Sequence, residues 1–189
     1  MRIAEFDRAQ VLENAMQSFR AKGYAGTTMQ ELVAATGLHP GSIYAAFGNK
    51  RGLLLAAVDH YVCQKRARRR QVMDLPSPLA GIEAYLNVVV EDTLSGACLV
   101  TRMLMEMSEK DGELAERMQQ ICQELEQDIY QALECAVVRQ ELLQDADIAT
   151  LTAYLLVAIQ GIITFAQCSK DKTLLSAVVQ CVMGSLRKV

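Results

Sequence analysis

Residues 27–50, TTMQELVAATGLHPGSIYAAFGNK, gather hydroxyls, an imidazole, a phenol and an ammonium into one stretch: Thr27, Thr28, His39, Ser42, Tyr44 and Lys50. Such groups hydrogen-bond, but they are not arranged for bond-making chemistry. His39 and His60 are the only histidines in the chain. There is no phosphate-cradling glycine loop of the P-loop or Rossmann kind, and no nucleophile in a recognised elbow. Glu91-Asp92, Glu124 and Glu126 lie on charged faces and read as solvated carboxylates. Cys63, Cys98, Cys122, Cys135, Cys168 and Cys181 are scattered with no C-x-x-C pair, which is neither a disulfide framework nor a zinc site. The chain therefore reads as a non-enzyme with no cofactor and no metal, and the polar groups read as a recognition face.

Two short helices and a tight turn must position that face. Thr28-Met29-Gln30-Glu31 has the spacing of a capping box, in which the threonine hydroxyl and the glutamate carboxylate satisfy each other's orphan N–H groups. Leu32 and Val33 supply the apolar side, and Gly37 suits a left-handed helix stop. Pro40 fits the first position of a second helix. Ile43 and Phe47, four apart, bury one side of it, while His39, Gly41, Ser42, Tyr44 and Ala45 line the other. Asn49-Lys50 reads as the cap and first residue of the next helix. Upstream, Val11, Leu12, Ala15, Met16 and Phe19 form an amphipathic stripe on a helix expected over 7–21, with 23–26 as the connecting turn. Together these elements make a helix-turn-helix.

The stretch resembles the N-terminal DNA-binding domain of the TetR family of bacterial transcriptional regulators. Thr27-Thr28, Gly37, Gly41-Ser42-x-Tyr44, Phe47 and Lys50 fall where that family's pattern has them. Arg51 departs from it, standing where the family usually has an acidic residue, with Gly52 after it, and His39-Pro40 replaces a commoner Ser-Lys type pair. These departures bear on the operator sequence. The resemblance implies a DNA-facing set of Thr27, Thr28, His39, Pro40, Gly41, Ser42, Tyr44, Ala45 and Lys50. Thr27, Thr28, Tyr44 and Lys50 would hold phosphates. His39, Gly41, Ser42 and Ala45 would approach base edges in the major groove of double-stranded operator DNA. Two residues keep a second reading: Tyr44 as a packing residue with a wet hydroxyl, and Thr28 as a cap alone.

Charge distribution agrees. The 189 residues carry a net charge of −3, but residues 1–72 sum to +6 and residues 73–189 to −9. Lys65 to Arg70 ends a long helix in a basic run, read as a solvated face or as extra phosphate attraction. Asp74-Leu75-Pro76-Ser77-Pro78 is the clearest linker signal. The expected organisation is all-α with about nine helices: a helix-turn-helix domain over 1–48, a connecting helix over 49–73, and a domain over 79–189. By resemblance, that last domain binds ligand and forms a homodimer through its final two helices, expected near 147–168 and 172–186.

Residues 148–169 carry no charge and meet the length of a membrane span. Thr150, Thr152, Gln160 and Thr164, with no flanking Lys/Arg cluster, favour a helix buried between others and no membrane partner. The charged N-terminus and the cysteine usage fit the cytoplasm. Cys98, Arg102, Met103, Met107, Met118 and Cys122 are the candidate effector-pocket residues, read either as an adaptable apolar site or as Met-rich core. Arg102 and Glu106, four apart, fit a simple pair, or Arg102 an anionic ligand. The resulting expectation is a ligand-responsive repressor released from its operator by a small apolar molecule. The alternative is a thiol-based or soft-metal sensor on the same frame, with Cys98 in a helix's first turn and Arg102 one turn on.

Overall fold

The computed structural model describes residues 6–107, 109 and 111–186. Among the described residues there are nine α-helices and no strand: α1 (Arg8–Gly26), α2 (Met29–Thr36), α3 (Pro40–Phe47), α4 (Lys50–Met73), α5 (Pro78–Ser95), α6 (Leu99–Met107), α7 (Gly112–Val138), α8 (Ile148–Phe165) and α9 (Lys172–Leu186). They divide into two compact units. One comprises Met1–Arg66 with Cys98–Met118, and the other Ala67–Ala97 with Gln119–Val189.

This division differs from the boundary expected at the proline-rich linker. The segment Cys98–Met118 packs with the N-terminal helices because α6 carries an apolar stripe, Leu99, Met103 and Met107, at four-residue intervals. That stripe is buried and α6 lies on α1.

In the first unit α1 starts at Asp7, whose side chain accepts from Gln10 N, and buries Val11, Leu12, Ala15, Met16 and Phe19. It runs beyond the expected stop at Ala21. Gly23 takes φ 75° and ψ 177°, which kinks the helix, and a further turn follows to Gly26. The capping box of α2 is complete: Glu31 N donates to Thr28 Oγ1 at 3.2 Å and Thr28 N to Glu31 Oε2 at 2.7 Å. Gly37 ends α2 at φ 70°. Leu32 and Ile43 are fully buried, each worth about 1.5–3 kcal/mol in area terms. Asn49 Oδ1 accepts from Gly52 N at 2.8 Å, as expected of a cap for α4. Arg51, the departure from the family pattern, forks onto Asp111 and Glu113, with 2.9 and 2.7 Å bonds from Nη2.

In the second unit α5 packs against α8 and α9, and α8 against α9. Tertiary ion pairs engage Arg68 and Arg69, two of the five cations in the basic run at the end of α4. Arg68 bonds Glu91 and Asp92, and the buried Arg69 bonds Asp128. Arg69 therefore leaves the solvated face, while Arg68 and Glu91 remain exposed as that reading expects and pair in water. α7 ends at Val138, and the chain turns back before the buried Leu142. The N–H groups of Glu141 and Leu142 both reach Ala136 O, and Gln140 takes φ 60°. In α8 only Leu151, Thr152, Leu155, Ile159 and Ile162 are buried. The helix is long and apolar enough to cross a membrane, yet it is packed on one side and open on the other rather than enclosed all round.

Hydrogen bonding from Arg51 and from Leu114 N holds the Asp111 carboxyl at about 2, below its ordinary 3.8. The unfolded chain takes up this proton first, so the pairing stabilises fully above about pH 4 and fades as pH falls through 2. Asp111→Asn is expected to lower the urea midpoint at pH 7, with the gap from wild type closing by pH 2. A constant gap across that range contradicts the pairing.

Candidate nucleic-acid interface

The outward side of α3 is built from its ends. His39 is the N-cap residue, with no side-chain cap bond, and Pro40 opens the helix. His39, Pro40, Gly41, Tyr44 and Ala45 are exposed, Ser42 is half-buried, and Ile43 points into the core. A Cβ at Gly41 would meet nothing within 4 Å, so the helix is open to close approach there. Tyr44 is 50% exposed, so half of its surface is open to solvent. Thr28 is exposed, and its hydroxyl both caps α2 and lies 3.1 Å from Glu31 Oε2.

Lys50 is half-buried, with Nζ 4.3 Å from the centroid of the Tyr24 ring, a cation–π contact that fixes its ammonium at the start of α4. Arg8, which sequence reasoning passed over, is exposed with its guanidinium 4.8 Å from the Phe47 ring at the end of α3. Its only signal in the sequence was a cation on the polar side of the first amphipathic helix.

Thr27 must leave the DNA-facing set. Its side chain is fully buried, and Oγ1 donates to Gly23 O at 2.6 Å. A hydroxyl enclosed in the α1–α2 junction cannot reach a phosphate.

The six residues expected to line an effector pocket are divided between the two units. Met103, Met107 and Met118 are buried in the first unit's core, Cys98 is half-buried at the start of α6, and Cys122 is exposed and belongs to the other unit. Arg102 donates through Nη1 to Arg20 O and Ala21 O, at 3.1 and 3.4 Å. Glu106, considered in the sequence only as a partner for Arg102, accepts from Tyr24 N and Ala25 N at 3.0 and 2.6 Å. Within the second unit an open cleft of about 430 Å³ is lined by Arg69, Met73, Pro78, Asp128, Ala132 and Arg139, among others. Sequence reasoning missed it, since its walls come from three separate elements.

The family profile "Bacterial regulatory proteins, tetR family" matches residues 11–57, and "Tetracyclin repressor-like, C-terminal domain" matches residues 79–182, more than half the chain. An uncharacterized HTH-type transcriptional regulator of Bacillus subtilis, YezE, is 31% identical over 157 residues, covering 80% of this chain and 81% of its own. The chain belongs to the TetR family.

As a TetR-family protein it is a DNA-binding transcriptional regulator, of a family of regulators rather than enzymes. The Escherichia coli transcriptional repressor ComR is 28% identical, with 82% of this chain and 77% of ComR covered. Among solved structures, a cysteine-substituted mutant of the TetR-family regulator CifR, complexed with 26-bp double-strand operator DNA, matches with a TM-score of 0.88. It is 26% identical, with 98% and 100% of the two chains covered.

The sensor alternative rests on Cys98 with Arg102 beside it. All six cysteines are free thiols. Among the described residues no group of three His, Cys, Asp or Glu side chains could hold a metal. Arg102, the cation expected to assist Cys98, is directed to α1 carbonyls.

Thr27→Ala is expected to cost about 1–2 kcal/mol of stability through the lost buried hydrogen bond, while leaving the salt dependence of DNA binding unchanged. Urea melts with binding titrations at several salt concentrations test both. A reduced salt slope would return Thr27 to the phosphate contacts.

Proposed function

We propose that this TetR-family protein is a repressor that binds its operator as a two-fold homodimer through α3 and is released by a small molecule. The observation that carries the DNA-binding part is the α3 surface. Tyr44, Ala45, Gly41 and His39 are exposed on a helix whose inner side is fixed by Ile43. In this reading α3 enters the major groove, with Gly41 permitting close approach and His39, Ser42 and Ala45 near base edges. Thr28, Tyr44, Lys50 and Arg8 meet phosphates, and Lys50 arrives already oriented by Tyr24. The operator complex of CifR supports the choice of partner.

Dimerisation is assigned to α8 and α9. Tyr154, Val157 and Phe165 on α8, with Leu174 and Val178 on α9, leave large apolar side chains in water, with Val157 at 70% exposure. Such a patch marks an interaction surface, and two copies related by a two-fold axis would cover it. A Cβ at Gly161, on the same helix, would meet nothing within 4 Å, which leaves room for a partner backbone.

Release requires an effector that prefers a state whose half-site spacing no longer fits DNA. An apolar effector is favoured by the methionine-rich interior around Met103 and Met118, which are soft, adaptable side chains.

Lys50→Ala and Tyr44→Phe are expected to weaken binding to all duplexes. Lys50→Ala should also reduce the salt slope by about one. His39→Ala and Ser42→Ala should alter sequence preference more than affinity. Electrophoretic titration against the duplex that the wild type selects from a random pool checks these. Unchanged affinity and salt slope for Lys50→Ala would refute this docking. Separately, the wild type should sediment as a dimer at low micromolar concentration and Val157→Glu as a monomer; a monomeric wild type removes the interface.

A further inference from the structure

The kink at Gly23 interrupts α1. A residue at φ 75° and ψ 177° does not carry regular helical hydrogen bonds across itself, so the kink interrupts the ladder where Tyr24 N, Ala25 N and Gly26 N would meet Arg20 O, Ala21 O and Lys22 O. Two side chains of α6 address four of those six backbone groups. Glu106 offers both carboxylate oxygens, Oε2 to Tyr24 N and Oε1 to Ala25 N, at 3.0 and 2.6 Å. Arg102 offers its guanidinium to Arg20 O and Ala21 O, at 3.1 and 3.4 Å. The donors find an acceptor and the acceptors find a donor, on residues one helical turn apart. A Cβ at position 23 would collide with Glu106 Oε2, so the glycine is needed for the approach as well as for its positive φ.

We propose that Arg102 and Glu106 act as one positioning pair for DNA binding, splicing the broken α1 helix and thereby fixing the turn that leads into the helix-turn-helix. That turn matters because of what hangs on it. The Tyr24 ring lies under the Lys50 ammonium, 4.3 Å from Nζ, and beside Phe19 at 6.2 Å between centroids. Thr27 closes the turn by its bond to Gly23 O, and Thr28 caps α2 immediately after. Loosening residues 24–27 would therefore displace both the cap of α2 and the cation at the start of α4. The inference rests on family-level DNA binding and not on the repressor or effector reading.

Donor–acceptor polarity separates a splice from an ordinary charge contact. Exchanging the two residues, Arg102→Glu with Glu106→Arg, keeps both charges, and the acid-before-base order suits α6 slightly better. It places a donor against N–H groups and an acceptor against carbonyls, so the splice is lost.

The test combines amide hydrogen exchange of the DNA-free protein with titration of the wild-type-selected duplex. In the wild type, the Tyr24 and Ala25 amides are expected to be protected. Glu106→Ala should speed their exchange at least tenfold while leaving Leu32 in α2 protected. The same variant and Arg102→Ala should weaken DNA binding about tenfold, the scale of a lost charge-assisted hydrogen bond, with the salt slope intact. Glu106→Gln, with one acceptor instead of two, should release only one of the two amides. The exchanged pair should bind DNA as weakly as the single variants. Fast exchange of both amides in the wild type, unchanged DNA affinity in the alanine variants, or rescue by the exchanged pair would each overturn the proposal. Failure of the wild type to select any duplex would count against DNA binding itself, and the exchange result would still judge the splice.

Discussion

An eight-residue helix does not hold itself together in water, because two turns of backbone bonding do not offset the cost of nucleation. Both helices of the DNA-binding motif are of that length. Everything around them compensates. Leu32 and Ile43, one per helix, are fully buried, and α2 packs on α1 and on α3. The Thr28–Glu31 box and the left-handed Gly37 settle the ends of α2. Lys22 adds an ion pair to Glu31, and that bond, with those from Thr28, holds the Glu31 carboxyl at about 2, so the cap stays charged well into acid. A recognition helix so dependent on its supports can present a face without a large core of its own. It is also sensitive to whatever holds the supports.

The supports include chain drawn from far along the sequence. Cys98–Met118 joins the N-terminal unit through apolar packing of α6 on α1 and through polar ties. Arg51 meets Asp111 and Glu113, Arg117 meets Asp59, and Arg102 with Glu106 meets the break in α1. Surface ion pairs are individually weak, and the Arg117–Asp59 pair is of that kind. Bonds that complete a broken helix differ, because an unsatisfied backbone group costs more than an unmade surface pair. The second unit raises the opposite issue: α8 and α9 carry more apolar surface than their neighbours cover, and the proposed second copy would supply the cover that two-fold recognition of DNA also calls for.

What could be read in the sequence was what depends on near neighbours. The capping box, the Gly37 stop, Pro40 at the start of α3 and the Asn49 cap are fixed by spacings of three or four residues, and the nine helices follow from periodicity. Thr27 and Thr28 are adjacent and chemically identical, yet one is enclosed and the other exposed; only the kink at Gly23, which turns Thr27 inward, distinguishes them. Arg102 and Glu106 have the spacing of a simple helix pair, and their true partners lie about eighty residues away. The methionines of α6 and α7 suit a core or a pocket by type alone, since the same side chains make both. The tertiary partners of Arg68 and Arg69 were hidden for the same reason.

The claim on which the rest turns is that α3 is the surface that enters DNA. A photoreactive benzophenone amino acid in place of Ala45 tests it most directly, because Ala45 is exposed at the centre of that surface. With α3 in the major groove, irradiation of the complex attaches the protein to DNA at two positions related by the operator's two-fold symmetry, about one helical turn or a multiple apart. A complex that forms normally but gives no DNA adduct from position 45 would contradict it.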